Sequence, residues 1–375
     1  MAVIPEAATT TPAPLTLWVV PVADLGGVAR HVLDVARVGL PGLRLAVLCP
    51  EGPLAERLRE QGAAVFTGDV GPDAGLAASV RTLRRTVRTL RPAVVHTHLA
   101  YADLVAGMVL AADRRTGLVS TEHGIAPEDA LYNANAAVAR AKNLAHRARL
   151  RRTDLVIAVA QSTADVLAAK WAPPGPVRVI RNGVDVEAVR AAAAGPRRTL
   201  GEGLRVLSLA RLAPEKNLDR LVAALPGLLE ADPQARLTLA GAGPLAEALR
   251  AQAERLGVGH AVDLPGHVEP WAAMGQHDVL VQLSAWENLS YTLLDAAAAG
   301  LPAVATDVGG NGEILPAERV VSAEAVTNPA VVVDAVRRAA EEGPGAVHVG
   351  GLEPMAAAIA AATRDVLAGR PGVVQ

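Results

Sequence analysis

Short apolar runs alternate along the chain with longer segments in which apolar residues recur at helical spacing. The run 279–283 is short and almost wholly apolar, which predicts a buried strand. The segment after it predicts a helix that Asn288 or Ser290 caps and that Gly300 ends. A second short strand, 303–306, then leads into a glycine-rich turn. Strand and helix therefore alternate, as they do around a parallel α/β sheet.

The same alternation continues over most of the 375 residues. Predicted strands cover 15–22, 45–49, 64–67, 93–96, 118–120, 155–160, 177–180, 205–210, 236–240 and 261–264. Beyond a helix that begins after Gly27, predicted helices cover 54–61, 76–90, 136–152, 163–170 (capped by Ser162), 218–230, 245–256, 329–342 and 354–367. This order implies parallel sheets with right-handed crossovers. The pattern restarts at Arg205 and the chain is too long for one ordinary core, so we expect two domains of Rossmann size.

Composition narrows the class of protein. The net charge of −2 argues against a nucleic-acid binder, and no apolar run reaches the ~18 residues of a membrane span. The segment 1–14 lacks the basic start and apolar core of a secretory signal. Cys49 is the one cysteine, so no internal disulfide can form, and a reducing compartment such as the cytoplasm fits.

Two carboxylates bracket the helix predicted after 279–283. Glu287 and Asp295 are eight residues apart, a rise of about 12 Å along a helix, roughly the distance from the sugar of a nucleotide-sugar to its ribose. The helix N-terminus between them offers free N–H groups and a positive dipole end to a diphosphate. The alternative is structural, with one carboxylate that caps the helix and one that is solvated.

Loops after other predicted strands carry further candidates. Arg211 can donate two parallel hydrogen bonds to a diphosphate, and Lys216 in the same loop adds a compact point charge. Surface cations explain most such pairs. Gly26, Gly27 and Gly241 lie at strand-to-helix turns, where backbone N–H groups can approach a phosphate, although turn geometry alone also favours glycine there.

Histidines stand at the ends of two predicted strands. The pair His96-Thr-His98 suggests a metal, but no further ligands at metal spacing complete a site, so we expect no bound metal. His123 precedes Gly124, and a histidine beside a glycine at a strand end can contact a ligand closely. The alternative for His123 is a loop histidine whose ring is satisfied by its neighbours.

The predicted helix 136–152 is strongly basic. Its cations are Arg140, Lys142, Arg147, Arg149, Arg151 and Arg152. Its apolar face is mostly alanine, which inserts poorly into lipid. Two interpretations stay open, an ordinary solvated helix and a peripheral contact with an anionic membrane or an anionic acceptor.

The stretch 284–313 resembles the signature of the family-4 retaining glycosyltransferases, the glycosyl transferases group 1. It has a glutamate, seven residues, a second acid, a small-residue helix, and then Gly-Leu-Pro-x-Val-x-Thr-x-x-Gly-Gly. The loop that begins at Arg211 reads Arg-Leu-x-x-x-Lys-Asn, which also matches the family. Asp295 stands where the family usually has glutamate, and Asn288 and Leu289 replace the usual glycine and phenylalanine.

The resemblance implies a role for each candidate residue. Arg211 and Lys216 would hold the donor diphosphate. His123 would hydrogen-bond the transferred sugar, and Glu287 would orient sugar hydroxyls without acting as a nucleophile. These four are the expected catalytic residues; the expected donor-binding residues are Gly26, Gly27, Gly241, Val268 (whose backbone would lie near the nucleobase), Leu289, Ser290 and Asp295 (near the ribose).

The resemblance also implies the GT-B architecture: an α/β fold with two Rossmann-like domains whose parallel sheets face each other across a cleft. We expect a disordered tail at 1–14, an N-terminal acceptor domain at 15–195, a C-terminal nucleotide-sugar donor domain at 196–352, and a final helix at 353–375 that crosses back to the first domain. The stretch 314–352 matches the family poorly.

The implied reaction is transfer of a sugar from a nucleoside diphosphate to an acceptor hydroxyl with retention of anomeric configuration. A donor phosphate oxygen would take the acceptor proton. No Asp-x-Asp pair occurs, so a chelated Mg²⁺ or Mn²⁺ is not implied, and no cofactor is expected beside the donor, which is a substrate. The acceptor could be a sugar, a lipid-linked glycan or a small molecule, in polysaccharide or glycoconjugate biosynthesis in the cytoplasm or at the inner face of a membrane.

Two other functions remain open at this level. A nucleotide-sugar 2-epimerase of the same architecture would convert the donor without an acceptor. A non-catalytic protein that binds a nucleotide-sugar or a membrane surface would bind the donor without transfer or hydrolysis.

Overall fold

The computed structural model describes residues 12–125, 136–195, 203–345, 347 and 349–370. The predicted tail lies outside these residues except for 12–14. The predicted linker 191–198 is described only as far as Gly195, and its first residues are helical.

The first half of the chain builds a seven-stranded sheet. Its strands are β1 (Leu15–Val19), β2 (Arg44–Cys49), β3 (Ala64–Thr67), β4 (Val94–His98), β5 (Gly117–Glu122), β6 (Leu155–Ala158) and β7 (Val177–Val179). Their order is β3-β2-β1-β4-β5-β6-β7, and every neighbouring pair is parallel. The order of strand addition reverses between β1 and β4, the place where sheets of this kind bind ligands.

Helices cover both faces of this sheet. They are α1 (Gly27–Val38), α2 (Pro53–Glu60), α3 (Leu76–Leu90), α4 (Ala100–Val109), α5 (Ala136–Leu150), α6 (Gln161–Trp171) and α7 (Val186–Ala193). Trp18 in β1 packs with α1 and α2, whereas its neighbours Leu17 and Val19 pack with α3 and α4. This division follows from the two-residue period of a strand.

The second half builds a six-stranded parallel sheet. Its strands are β8 (Arg205–Leu209), β9 (Arg236–Ala240), β10 (Val262–Gly266), β11 (Val279–Gln282), β12 (Ala303–Thr306) and β13 (Val320–Val321), in the order β10-β9-β8-β11-β12-β13. Its helices are α8 (Leu218–Ala231), α9 (Ala246–Arg255), α10 (Pro270–Gly275), α11 (Tyr291–Ala299), α12 (Asn311–Ile314) and α13 (Pro329–Glu342).

The last helix, α14 (Leu352–Ala368), packs on the first sheet. Met355 and Ile359 share a core with Trp18 and Val32, and α14 lies against α1. The C-terminal segment therefore returns to the N-terminal half. None of the helices in the described ranges could traverse a bilayer, given its length and its polar content.

The α/β fold with two parallel sheets is confirmed, and most elements lie where the pattern predicts them. The helix at 76–90 and the strand at 303–306 have the predicted bounds, whereas α4, α7, α10, α12 and β13 were not predicted. The prediction that Ser162 caps a helix was wrong. Helix α6 begins at Gln161, and the carboxylate of Glu313, from the other half, accepts hydrogen bonds from the N–H groups of Gln161 and Ser162 at 2.9 and 2.8 Å.

Candidate active site

Predicted site residues of the second half lie along the carboxyl edge of its sheet. Arg211, Gly241, Val268 and Glu287 follow β8, β9, β10 and β11, respectively, and these four strands are neighbours. Because the carboxyl ends of adjacent parallel strands meet at one edge, the four residues come together although 76 residues separate the first from the last (287 minus 211).

A cavity of about 390 Å³ opens at this edge. It is lined by Leu25 of the first half and by Leu209, Ala210, Arg211, Ala240, Gly241, Ala242, His267 and Val268 of the second. Gly26 and Gly27 follow Leu25 at the start of α1, so the predicted glycine turn borders the cavity from the opposite side. Backbone, apolar walls and one cation make a surface that suits a nucleotide.

Only glycine fits at position 241. Its φ of +142° lies outside the range of L side chains, and a Cβ there would be 1.9 Å from the carbonyl oxygen of Ala210. The Gly241 N–H donates to the carbonyl of Gly266 at 2.8 Å. The floor of the cavity is therefore bare backbone, which lets a ligand approach it closely.

Lys216 and Glu287 form a half-buried ion pair. Lys216 ends a single 3₁₀ turn, and Asn217 after it is left-handed, with its amide donating to the carbonyl of Leu283 at 2.9 Å. The N–H of Ala285 donates to the carbonyl of Glu215 at 2.8 Å. The turn after β8 is thus tied to the loop after β11, which holds the two charges together.

Ser290 caps α11, as one of the two predicted alternatives has it. Its hydroxyl accepts from the N–H of Leu293 at 3.3 Å and donates to Gln282 at 2.8 Å. Leu289 before it is buried in the core of the second half. Glu287 lies in the loop ahead of the helix, so the 12 Å helical rise assumed between Glu287 and Asp295 applies only to the part of the segment from Tyr291 onward.

Asp295 faces the first half of the chain. Its two carboxylate oxygens accept hydrogen bonds of 2.5 and 2.7 Å from the guanidinium of Arg30 in α1. The Arg30 guanidinium also lies 4.4 Å from the centre of the Tyr291 ring and 5.9 Å from that of Trp271. Burial alone would lower the pKa of Arg30, but the hydrogen bonds and charge of Asp295 outweigh it and raise that pKa.

The same cluster holds a second carboxylate. Asp34 lies 3.5 Å from Arg30 on the next turn of α1. Burial raises the pKa of Asp34, with the nearby cations Arg30 and Arg37 opposing that rise. One guanidinium therefore serves two carboxylates between the halves, and Arg30 had no motif that could have predicted it.

His123 lies just after β5 and faces the loop of Glu287. A Cβ on the next residue, Gly124, would sit 1.7 Å from the amide nitrogen of Asn288, so the two loops meet with no room for a side chain. The His123 ring is 2.8 Å from His98, nitrogen to nitrogen, and burial holds the pKa of His123 well below its usual value. His123 is neutral at pH 7.

A buried ion cluster supports the loop of His123. Arg149 on α5, one of the cations of the predicted basic helix, is fully buried and pairs with Asp103 and with Glu122. Burial raises the pKa of Glu122, although Arg149 opposes this rise. Arg149 also lies 5.3 Å from the centre of the Trp171 ring. Three charges in the core thus fix the residue that precedes His123.

Arg211 is placed at the rim of the cavity. Its side chain is 70% exposed and pairs with Glu215 in the same loop. Arg211 takes no part in the Lys216–Glu287 ion pair. The hydrogen bond between the loop after β8 and the loop after β11 nevertheless keeps Arg211 and Lys216 at the same edge of the sheet.

Comparison with known proteins defines the class first. The glycosyltransferase from Rickettsia africae ESF-5 superposes with a TM-score of 0.72 at 16% identity, covering 96% of this chain and all of the other. Anabaena Alr3699/HepE in complex with UDP superposes at 0.71 with 21% identity, covering 94% of this chain and 96% of the other. The two parallel sheets thus define the GT-B fold.

Sequence comparison gives the family. The model of Glycosyltransferase Family 4 matches residues 25–188, and that of Glycosyl transferases group 1 matches 197–350. Glycogen synthase of Mycobacterium tuberculosis is 29% identical over 329 residues, 79% of this chain and 78% of that one. A GDP-mannose-dependent alpha-(1-6)-phosphatidylinositol monomannoside mannosyltransferase of the same organism is 35% identical over 124 residues, 30% of this chain and 32% of that one.

The chain therefore belongs to glycosyltransferase family 4, the glycosyl transferases group 1. It is a glycosyltransferase of a retaining family that uses nucleotide-sugar donors.

Proposed function

We propose that the enzyme binds its donor in the 390 Å³ cavity and transfers a hexosyl group to an acceptor hydroxyl held by the N-terminal half. The observation that carries this proposal is the composition of the cavity. Arg211, Gly241 and Val268 meet Leu25 there, beside the Gly26–Gly27 turn. The nucleoside then lies against bare backbone, and the diphosphate extends toward the start of α11.

Lys216, in its ion pair with Glu287, can also bind the departing diphosphate. Negative charge grows on the leaving group in the transition state, and preorganised cations stabilise it. The Lys216 ammonium has three donors, so it can hold Glu287 and a phosphate oxygen at once. Arg211 is exposed at the rim and can reach the same group with two parallel hydrogen bonds.

The transferred sugar fits between Glu287 and His123. The contact of Gly124 with Asn288 brings their loops together from opposite halves. A carboxylate accepts from sugar hydroxyls, and a neutral imidazole can donate or accept. In a retaining transfer on the leaving-group face, a donor phosphate oxygen takes the acceptor proton, so neither residue needs to act as a base.

Asp295 would contact the ribose only after its pairing with Arg30 changes. Both of its oxygens accept from Arg30, and its side chain is 3% exposed. Each carboxylate oxygen has a second lone pair, but a ribose can reach it only if Arg30 shifts. Donor binding would then loosen one tie between the halves.

We propose the domain division 15–195, 196–352 and 353–375. Membership of the sheets supports it, because β1 to β7 belong to one sheet and β8 to β13 to the other, and α14 packs on the first.

We propose a membrane surface as the second partner of the enzyme. The stretch 136–152 and the helices packed beside it would contact the inner, cytoplasmic face of the membrane. Helices α3, α4 and α5 pack side by side, and their one carboxylate is the buried Asp103. Met108 in α4 is 51% exposed and Leu144 in α5 is 68% exposed. Exposed cations on the described part of these helices are Arg81, Arg84, Arg85, Arg88, Arg140 and Arg147.

This contact predicts binding to anionic and not to neutral vesicles. Sedimentation should show the bound fraction falling in 0.5 M salt, since about 1 kcal/mol per cation is electrostatic. Arg84→Glu with Arg88→Glu should abolish it. A protein that does not sediment with anionic vesicles would leave a solvated face as the explanation, and equal sedimentation with neutral vesicles would contradict an electrostatic contact.

Thermal unfolding with a panel of nucleoside-diphosphate sugars tests the donor site. UDP-glucose and GDP-mannose lead the panel because a solved neighbour binds the first and a relative is named for dependence on GDP-mannose. A donor at 100 times its Kd should add about 2.7 kcal/mol, which raises Tm by several degrees. Gly241→Val should remove the shift. A shift that Gly241→Val leaves unchanged would place the donor elsewhere.

A further inference from the structure

A second cavity opens at the carboxyl edge of the first sheet. Its volume is about 480 Å³, and it lies where the strands β1, β2 and β3 end. Three loops form its walls, with lining residues from 21–24, 50–51 and 67–74. Open α/β sheets bind their ligands at this edge. The donor site and the membrane contact proposed above lie elsewhere, so this cavity is a separate candidate site.

This second cavity adjoins the donor cavity through one loop. Asp24 lines the second cavity, and the next residue, Leu25, lines the donor cavity. A single peptide unit, about 3.8 Å between Cα atoms, therefore joins the wall of one cavity to the wall of the other. In a transferase the acceptor must reach the sugar that leaves the donor, so a cavity in this position suits the acceptor.

Hydrogen bonds and a close backbone contact hold the loops of the second cavity in place. The N–H of Leu54 donates to the carbonyl of Ala23 at 2.9 Å, which ties the loop after β1 to α2. Gly71 has a φ of +139°, and a Cβ there would be 2.8 Å from the carbonyl oxygen of Pro21. The N–H of Gly71 also donates to the buried hydroxyl of Ser79 on α3 at 3.2 Å. The cavity is therefore preformed, which lowers the entropic cost of binding a ligand there.

The lining of the second cavity is strongly negative. It includes four carboxylates and, in the part of the chain that the structure describes, no arginine or lysine: Asp24, Glu51, Asp69 and Asp73. Arg59 compensates the charge of Glu51 with hydrogen bonds of 2.5 and 2.8 Å. The other three carboxylates form no ion pair with any described residue. The donor cavity, by contrast, is lined by one arginine and by no carboxylate.

We propose that the second cavity binds the acceptor and selects one that carries no phosphate or carboxylate, with an amine-bearing sugar or cyclitol as the best fit. This inference rests on the proposed function, because it takes the donor cavity as the source of the transferred sugar. An ionised carboxylate only accepts hydrogen bonds, so its partner must donate, and hydroxyl and ammonium groups both do. A phosphate brings acceptors and negative charge to a site that already has both.

The three carboxylates without an ion pair favour an ammonium group over a hydroxyl group. Asp24, Asp69 and Asp73 are exposed, and one exposed ion pair strengthens binding only about two- to fivefold. Three carboxylates around one ligand act together, however, and a cavity lined by one sign of charge concentrates ions of the opposite sign. Because the charges are exposed to solvent, high salt should weaken this attraction.

Three sugars that share one ring and differ in charge test the acceptor site. Glucosamine (below the pKa of its amine), glucose and glucose 6-phosphate are titrated into the wild-type protein by calorimetry in low salt. Each titration is run with and without the nucleoside diphosphate that raises Tm. We expect glucosamine to bind most tightly and glucose 6-phosphate most weakly, and we expect high salt to weaken the binding of glucosamine but not that of glucose.

Variants of the cavity carboxylates locate the bound sugar. Asp69→Asn and Asp73→Asn should each weaken glucosamine binding about two- to fivefold and change glucose binding less. Glu56→Gln, which changes an exposed carboxylate on α2 outside the cavity, is the matched control and should bind glucosamine like wild type. The donor-induced Tm shift should be the same in all three variants.

Glucose 6-phosphate that binds wild-type protein as tightly as glucose would overturn the proposal without any variant having to fold. Failure of all three sugars to bind in the tens of millimolar would overturn it as well, as would glucosamine binding that Asp69→Asn with Asp73→Asn leaves unchanged. Absence of the donor-induced Tm shift would instead contradict the donor site, so failure of the acceptor site and failure of the proposed function give different results.

Discussion

The two edges that face each other across the cleft are built in different ways. On the donor side, turns carry the site: Gly241 with its positive φ, the capped start of α11, and the tight turn that ends at Lys216. On the opposite side, buried side chains carry it, since Arg149 and the histidines join helices and strands far apart in sequence. The local backbone requirements of the donor side leave motifs in the sequence, whereas the pairs that Arg149 forms with Asp103 and Glu122 leave none.

The largest effect should come from the buried charges of the N-terminal half. Arg149→Met leaves Asp103 and Glu122 buried without their cation, which should cost about 3–5 kcal/mol of unfolding free energy, measured in urea. Arg147→Met on the exposed side of the same helix is the control and should change it by less than about 0.5 kcal/mol. Equal effects would show that the two edges do not differ as described.

On the donor side, a substitution should lower the catalytic rate and leave the fold intact. Lys216→Ala should lower kcat by about 10²–10³ at saturating donor, because the charge on the leaving diphosphate loses one preorganised donor. Lys170→Ala, which changes the same residue type away from the cavity, is the control. Unchanged turnover in Lys216→Ala would contradict the role given to this side.

The tie between the halves should have an intermediate effect. Asp295→Asn keeps the shape but removes the charge that pairs with Arg30, and hydrogen bonds to charged groups contribute about 1.5–3 kcal/mol. We expect a lower Tm and weaker donor binding if ribose shares the site. A donor Kd that stays constant while Tm falls would confine Asp295 to a structural role.

The smallest effect should appear as a pH dependence at Glu313. Burial opposes ionisation of this carboxyl, but the N–H groups of Ser162 and Gln161 and the cation Arg181 lower its pKa below 4.5. A lowered folded pKa means that its contribution is present above pH 4.5 and is lost as pH falls through the folded value. The Tm difference between wild type and Glu313→Gln, on the order of 1 kcal/mol in free energy, should therefore shrink on acidification. A Tm difference that grows on acidification would contradict a lowered pKa of Glu313.

Much of the fold was predictable because it depends on local pattern. The alternation of strand and helix gave bounds within a few residues for most elements, and the Ser290 cap and Gly300 stop of α11 follow from the preferences of single positions. The helices α4, α7, α10 and α12 and the strand β13 were missed because their small or short segments carry little periodicity. The cap at Ser162 was mispredicted because a carboxylate 151 residues away satisfies the same N–H groups.

The sequence by itself determined the family, the two parallel sheets, and the motifs at Arg211, Lys216 and Glu287, since each depends on spacing along the chain. Only the tertiary structure decided which groups surround these motifs. It pairs Arg30 with Asp295, buries Arg149 of the predicted basic helix in the core, and brings His31 beside His98 and His123. Such contacts depend on which strand ends and helix faces meet when the sheets close, and no local preference encodes that.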